Sequence, residues 1–138
     1  MSASASPKSK RRLAAPLTPK LVEAVRRGLP FADMESLRKA LQLPLESLGV
    51  HLGIARATLH RRKAAGLLSP AESDKVLRFR RLLAQATETL GGVNEARAWL
   101  AAPQTGLGGS IPLTYAGTEV GAREVESLLG RIEHGVYT

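Results

Sequence analysis

The sequence predicts an all-α fold. Apolar residues recur every three or four positions along most of the chain, which is the spacing of amphipathic helices. No stretch alternates apolar and polar residues for long enough to predict a strand. Glycines and prolines fall between the periodic segments, where helices end and begin. With 138 residues and no cysteine, the chain has room for one domain or two small ones, built without disulfides.

Local signals set the limits of each helix. Gly28 is expected to end the first helix, and Asp33 is expected to cap the second. Pro44 opens the third, and Gly53 and Gly66 are expected to end the third and the fourth. In chain order, the predicted helices span residues 17–27, 33–41, 45–52, 56–65, 70–90, 93–101 and 119–134.

The second half of the chain carries three further signals. Ser69–Glu72 reads Ser-Pro-Ala-Glu, a capping box with proline at the first helical position, and it predicts the start of the longest helix. Residues 102–112 are rich in glycine and are predicted to form a loop. Thr118 is expected to cap the last helix. Gly121 inside that helix costs about 1 kcal/mol relative to alanine, which indicates close packing against another backbone.

The first 16 residues are predicted to form a disordered basic tail. Most of them are small, polar or basic, so this segment has little apolar surface to bury. Such a tail can add weak, salt-sensitive attraction to DNA. A purely solubilising tail explains the same composition.

Charge is distributed unevenly along the chain. The net charge of +8 predicts a polyanionic partner without identifying it. Residues 1–81 hold 17 basic and 6 acidic side chains, a balance of +11, whereas residues 82–138 hold 3 basic and 6 acidic ones, a balance of −3. The two parts are therefore expected to meet different partners.

The segment Leu45–Gly66 has the pattern of a helix-turn-helix. A short apolar helix is followed by Gly53, which suits the positive φ of a tight turn, and Ile54 is expected to fill the space between the helices. The second helix would then enter the major groove of DNA. In this prediction Arg56 reads a base, and Thr58 contacts a base or a phosphate. The full set of candidate DNA-binding residues, of which the last three are placed for phosphates, is Arg56, Thr58, Arg61, Arg62 and Lys63.

Composition excludes several classes of protein. Three scattered histidines and no cysteine predict no metal site, and no residue pattern indicates a cofactor or the paired catalytic groups of an enzyme. Aromatic residues make up 4% of the chain, too few for a single-strand stacking platform. No apolar run is long enough to cross a membrane, and no secretory signal is evident. A cytoplasmic protein is therefore expected.

Two stretches carry a resemblance to a known family. The first is residues 52–79, with the sequences Thr58–Arg62 and Leu68–Asp74, and the second is residues 96–138, with ARAWL, GLGGSIPL and TEVGAREVESLLGRIEHGVYT. In order and spacing, over about residues 30–138, the chain resembles the Xre/MbcA/ParS antitoxins, and its ParS type in particular. It departs from the family at Ala55, where serine is frequent, and so lacks one helix cap and one possible phosphate contact.

The resemblance implies an antitoxin with two activities. Its helix-turn-helix would bind the operator of its own operon, and its C-terminal part would occlude the active site of a RES-domain toxin of the ParT-like kind. Such toxins degrade NAD or transfer its ADP-ribose. The residues expected to contact the toxin are Leu107, Ile111, Leu113, Glu124, Leu128, Arg131, Ile132, Glu133, His134, Val136, Tyr137 and Thr138.

The expected organisation places DNA binding and dimerisation in residues 17–90 and toxin binding in residues 91–138. A homodimer is expected within the toxin–antitoxin complex, because one helix-turn-helix reads few base pairs. The candidate helices for the dimer surface are 17–28, 33–41 and 70–90, and the sequence does not choose between them. A stand-alone transcriptional regulator with a C-terminal dimerisation or sensing domain is the alternative.

Overall fold

The computed structural model describes residues 18–135. Over this range the chain forms eight α-helices and one 3-10 turn, and no strand, so the all-α prediction is confirmed. In chain order the helices are α1 Pro19–Arg27, α2 Phe31–Leu41, α3 Leu45–Leu52, α4 Arg56–Ala65, α5 Pro70–Leu90, α6 Val93–Leu100, α7 Pro112–Tyr115 and α8 Glu119–Glu133, with the 3-10 turn at Thr105–Leu107. The predicted tail at residues 1–16 lies outside the described residues.

The described chain divides after Phe79 into two compact units. The first unit contains α1 to α4 and the beginning of α5, and the second contains the rest of α5 and all that follows. The apolar side chains buried in the first unit are Leu29, Phe31, Met34, Leu37, Leu41, Leu48, Leu52, Ile54, Leu59, Leu68, Val76 and Phe79.

In the first unit, the segment between α1 and α2 pairs through its backbone with the segment between α4 and α5. The amide of Leu68 donates to the carbonyl of Leu29 over 2.9 Å, and the amide of Phe31 donates to the carbonyl of Gly66 over 3.0 Å. Gly28 adopts φ +92°, and a Cβ at this position would overlap the carbonyl oxygen of Leu68. Glycine is therefore required at position 28 both by its backbone conformation and by the close approach of the second segment.

The start of α2 differs from the expectation. Asp33 was expected to cap this helix, but α2 begins two residues earlier, and Asp33 lies in its first turn. Pro30 stands at the cap position without a side-chain hydrogen bond, and Phe31 at the first helical position is 5% exposed. Burial of Phe31, together with the hydrogen bond from its amide to Gly66, explains why the helix starts there.

The predicted loop at residues 102–112 contains more regular structure than expected. It includes the 3-10 turn, and α7 starts at its last residue, Pro112. The loop closes on itself, because the amide of Gln104 donates to the carbonyl of Ser110 and the amide of Gly109 donates to the carbonyl of Gln104. Proline at the first position of α7 has a φ suited to starting a helix.

The second unit buries a separate set of apolar side chains. They are Leu82, Leu83, Ala84, Ala86, Ala96, Leu100, Leu107, Leu113, Ala116, Ala122, Val125, Leu128 and Leu129. Two glycines permit close approaches in this unit. A Cβ at Gly121 would overlap the carbonyl oxygen of Tyr115, and one at Gly106 would lie 2.7 Å from Cδ1 of Leu128. The prediction that Gly121 packs against another backbone is confirmed.

Substituting the two glycines of α8 separates packing from helix propensity. We expect Gly121→Ala to lower the free energy of unfolding by about 1–3 kcal/mol, because the new methyl group must displace the backbone of Tyr115. Gly130→Ala is the matched control on the same helix. Beyond its two chain neighbours and the nearby backbone of its own helix, no atom lies within 4 Å of its Cβ position, so this change should raise stability by up to about 1 kcal/mol. Thermal and urea unfolding measure both, and equal effects of the two substitutions would contradict the packing explanation.

Candidate functional site

The segment from α3 to α4 folds as the predicted helix-turn-helix. Gly53 ends α3 in the left-handed region, with φ +70°, and the amide of Ile54 donates to the carbonyl of Gly49 over 2.9 Å. Ile54 and Leu59 are buried. A Cβ at Gly49 would already lie 3.2 Å from Cδ2 of Leu59. The two helices therefore pack closely, and the start of α4 follows the turn without a longer loop.

All five candidate DNA-binding residues lie on α4, but their surroundings differ. Arg56, Arg61 and Lys63 are exposed, whereas Thr58 and Arg62 are partly buried. Nη2 of Arg61 donates to Oγ1 of Thr58 over 3.1 Å. Ala55 supplies no side-chain cap to α4, so no cap side chain engages the first amides of this helix. Such amides favour anionic groups.

Arg62 has a structural partner that the sequence did not indicate. Its Nε donates to Oε1 of Glu72 over 2.8 Å, with the two side chains 34% and 12% exposed. The same carboxylate oxygen accepts the amide of Ser69 over 2.8 Å, and Oγ of Ser69 accepts the amide of Glu72 over 3.1 Å. The predicted capping box of α5 is thus confirmed, and Arg62 joins it to the centre of α4.

The pKa of Glu72 reflects this junction. Burial alone would raise the pKa of this carboxyl group. The hydrogen bond from Arg62, the hydrogen bonds from Ser69 and the positive charge of Arg62 outweigh burial and hold the pKa below the ordinary value for glutamate. Glu72 therefore stays ionised in the folded chain at neutral pH.

Two further side chains near the helix-turn-helix were not identified from the sequence. Oε2 of Glu46, in the first turn of α3, lies 3.2 Å from Nη2 of Arg56. Nζ of Lys75, on α5, lies 3.6 Å from the position of a Cβ at Gly53, and so borders the turn. Neither contact is signalled by local spacing, because each joins residues ten or more positions apart.

The expected toxin-contact residues lie in different environments in the second unit. Glu124, Glu133 and His134 are exposed, and Ile111, Arg131 and Ile132 are partly buried. Leu107, Leu113 and Leu128 are buried, so within this unit their main role is core packing. Val136, Tyr137 and Thr138 lie outside the described residues. Contact of these residues with a toxin stays a prediction.

Other features of the second unit's surface were not foreseen. Tyr115 and Val120 are 39% and 75% exposed where α7 leads into α8. Helix α8 is held to the later part of α5 by Glu126, whose carbonyl accepts Nε2 of Gln85 over 3.1 Å and whose carboxylate lies 3.4 Å from Arg81. This surface therefore presents an exposed aromatic side chain, Tyr115, and an exposed aliphatic one, Val120, next to or on α8, a helix that is held against α5.

Residues 18–135 contain no cluster of three or more histidine, cysteine, aspartate or glutamate side chains arranged to hold a metal ion. Within the same range, no helix combines the length and the apolar character needed to cross a membrane.

Comparison with known proteins assigns both units. The model of the antitoxin Xre-like helix-turn-helix domain matches residues 20–81, and that of the antitoxin Xre/MbcA/ParS C-terminal toxin-binding domain matches residues 85–135. The chain is 33% identical over 120 residues to Antitoxin Xre of Yersinia enterocolitica, which covers 86% of this chain and 81% of the relative. It is 30% identical over 122 residues to Antitoxin Xre of Photorhabdus laumondii, covering 87% and 82%.

The junction at Glu72 makes stability depend on acid pH in a defined way. Because the folded-state pKa of Glu72 is lowered, its contribution is complete above the unfolded value of about 4.3 and is lost as the pH falls through the folded value. We expect Glu72→Gln to lower stability at pH 7 by about 1–2 kcal/mol, since hydrogen bonds to charged groups contribute about 1.5–3 kcal/mol and partial exposure of Arg62 weakens them. The variant should also lose stability less steeply than the wild type below about pH 4.3.

Chemical denaturation between pH 3 and pH 7 measures this difference. Arg62→Ala should reproduce part of both effects, whereas Arg61→Ala, on the same helix and without the contact to Glu72, is the matched control. Parallel profiles of unfolding free energy against pH for the wild type and Glu72→Gln would show that the folded-state pKa of Glu72 is not lowered.

Proposed function

This chain belongs to the Xre/MbcA/ParS family of antitoxins, and from that premise we propose that it neutralises an NAD-consuming RES-domain toxin and represses its own operon. Within the family we assign it to the ParS type and its toxin to the ParT-like kind. The observation that carries the proposal is the order of the two family matches, a helix-turn-helix domain followed by a toxin-binding domain. An antitoxin with a helix-turn-helix thus combines two binding activities in one chain.

We place toxin binding in residues 91–138, with occlusion of the toxin's active site as the mode of neutralisation. A site that binds the phosphates of NAD needs positive charge, and residues 82–138 carry a balance of −3. Glu124 and Glu133 are exposed on α8. These two carboxylates are therefore suited to attract the rim of such a site, while Ile111 and Ile132 offer partly exposed apolar surface in the same unit.

We place DNA binding and dimerisation in residues 17–90. Arg56 and Thr58 are assigned to base edges, and Arg61, Arg62 and Lys63 to phosphates. A homodimer would bring two recognition helices to one operator. Helix α1 is suited to this contact, because none of its residues is buried and Val22 is 37% exposed. The tail at residues 1–16 would add non-specific attraction to DNA.

Charge reversal on α8 tests the toxin contact. We expect the double variant Glu124→Lys, Glu133→Lys to associate with the toxin at least about tenfold more slowly at low salt, because it replaces electrostatic attraction with repulsion. We expect a reading frame beside that of this chain to encode the RES-domain protein, and its product is the partner to express. Association is measured by biolayer interferometry, and neutralisation by cellular NAD content and growth during co-expression.

Glu88→Lys is the control for that experiment, because Glu88 is exposed on α5 and outside the proposed contact. Retained NAD with the wild type and with Glu88→Lys, but depleted NAD with the double variant, is the expected result. If the toxin expressed alone leaves cellular NAD unchanged, the assignment to an NAD-consuming toxin is wrong. If NAD falls despite co-expression of the wild-type chain, the proposed neutralisation is wrong. If the double variant binds as fast as the wild type, these carboxylates do not form the contact.

Salt dependence tests the assignment of Arg61 and Lys63 to phosphates. The logarithm of the DNA association constant falls linearly with the logarithm of the salt concentration. We expect Arg61→Ala and Lys63→Ala each to make this slope shallower by about 1 for every phosphate that the variant no longer neutralises. Fluorescence anisotropy with promoter DNA from upstream of the chain's own reading frame gives the slopes. Arg123→Ala, an exposed arginine on α8, is the matched control and should leave the slope unchanged. A slope as large in Arg61→Ala and Lys63→Ala as in the wild type would contradict the assignment.

A further inference from the structure

We propose that Glu46 is a positioning residue for Arg56, and that it sets the sequence specificity of the base pair that Arg56 contacts. The inference rests on the proposed DNA binding by α4 and extends it to a residue outside that helix. Glu46 lies in the first turn of α3, and Arg56 is the first residue of α4. Their side chains approach to 3.2 Å across the helix-turn-helix.

The position of Arg56 makes its orientation important. The N-terminal part of a recognition helix is the part that reaches base edges in the major groove. An arginine contacts guanine through two parallel hydrogen bonds, and this geometry requires a defined guanidinium plane. A long exposed side chain without a partner samples many rotamers. A carboxylate that holds one edge of the guanidinium reduces this freedom before DNA arrives.

The guanidinium of Arg56 has enough donors to bind the carboxylate of Glu46 and a base at the same time. The ion pair uses Nη2 of Arg56, whereas a guanidinium carries five N–H donors. The two side chains are 76% and 60% exposed, so the pair is open to an approaching groove. Donors on the other edge of Arg56 therefore remain for the acceptor atoms of a base.

Stability does not account for this ion pair. Exposed pairs contribute about 0–1 kcal/mol to folding. The exposed pairs Glu23–Arg27 and Glu119–Arg123 lie at i,i+4 within one helix, where local spacing brings such side chains together. Glu46 and Arg56 are instead joined by the tertiary arrangement of two helices.

The carboxylate also distinguishes a base contact from a phosphate contact. A negative charge beside Arg56 repels phosphates and so weakens sequence-independent binding at this position. Arg61 and Arg62 have different partners, the Thr58 hydroxyl and the Glu72 carboxylate. Arg56 is thus the arginine of α4 whose partner lies on the preceding helix of the helix-turn-helix, and the one for which a base-reading role follows from its surroundings.

Selection from a random duplex DNA library with the full chain tests the proposal. The wild type should enrich a motif containing a guanine whose replacement weakens binding by about 5- to 150-fold, the range for a bidentate contact. Arg56→Ala should abolish discrimination at that base pair. Glu46→Ala should reduce it by about two- to fivefold, the range expected from an exposed ion pair. Glu46→Gln, which retains an oxygen acceptor, should restore part of that discrimination.

Controls separate positioning from general effects. Glu119→Ala, which breaks an exposed pair on α8, should leave every position of the motif unchanged. In the double variant Glu46→Ala, Arg56→Ala, discrimination should equal that of Arg56→Ala alone, because Glu46 acts through Arg56. Helical content by circular dichroism and the Tm should stay close to the wild-type values in all variants.

Two results would overturn the inference, and they differ in what else they affect. In the first, the wild type enriches a motif, Arg56→Ala loses discrimination at one base pair, and Glu46→Ala loses none at any position. This result rules out the role of Glu46 and leaves the proposed DNA binding intact. No enriched motif with the wild type removes sequence-specific DNA binding itself, and the role of Glu46 with it.

Discussion

The carboxylate of Glu72 joins α4 to the start of α5 in the first unit. One of its oxygens accepts hydrogen bonds from the amide of Ser69 and from Arg62, so it caps α5 and holds α4 at the same time. The next residue extends the junction, because Oγ of Ser73 accepts the amide of Leu29 and donates to the carbonyl of Ser69. A charge with 12% of its side chain exposed needs such partners, since an unpaired buried carboxylate is strongly unfavourable. The orientation of the recognition helix therefore depends on these contacts.

This constraint divides the basic residues of α4 into two kinds. Arg62 is occupied by a well-buried partner, so its removal affects the fold as well as any DNA contact. Lys63 is exposed, and its place depends on the helix backbone, which the junction orients. A decrease in DNA affinity on substituting Arg62 consequently has two possible origins, whereas the same decrease at Lys63 has one. The net charge of α4 does not distinguish a basic residue with a structural partner from one without.

Most helix limits could be predicted because their signals are local. The bounds of α3, α4 and α5 agree with the sequence prediction, since glycine at the helix ends and the capping box of Ser69 and Glu72 act within a few residues. The start of α2 could not be predicted in the same way, because burial of Phe31 and pairing with Gly66 depend on a segment more than 30 residues away. The same limit applies to the candidate site. The positions of the basic residues on α4 were predictable, but the partners of Arg56 and Arg62 come from other helices.

The second unit shows how burial restricts what a substitution can reveal. Leu107, Leu113 and Leu128 are at most 8% exposed, and removing a buried leucine costs about 2–5 kcal/mol in protein cores. Such a change would weaken binding of any partner by unfolding the unit, even if none of these side chains reached the interface. Exposed carboxylates on α8 carry no such ambiguity, because they contribute little to packing. The proposed toxin contact is therefore better tested through the exposed charges of α8 than through these three leucines.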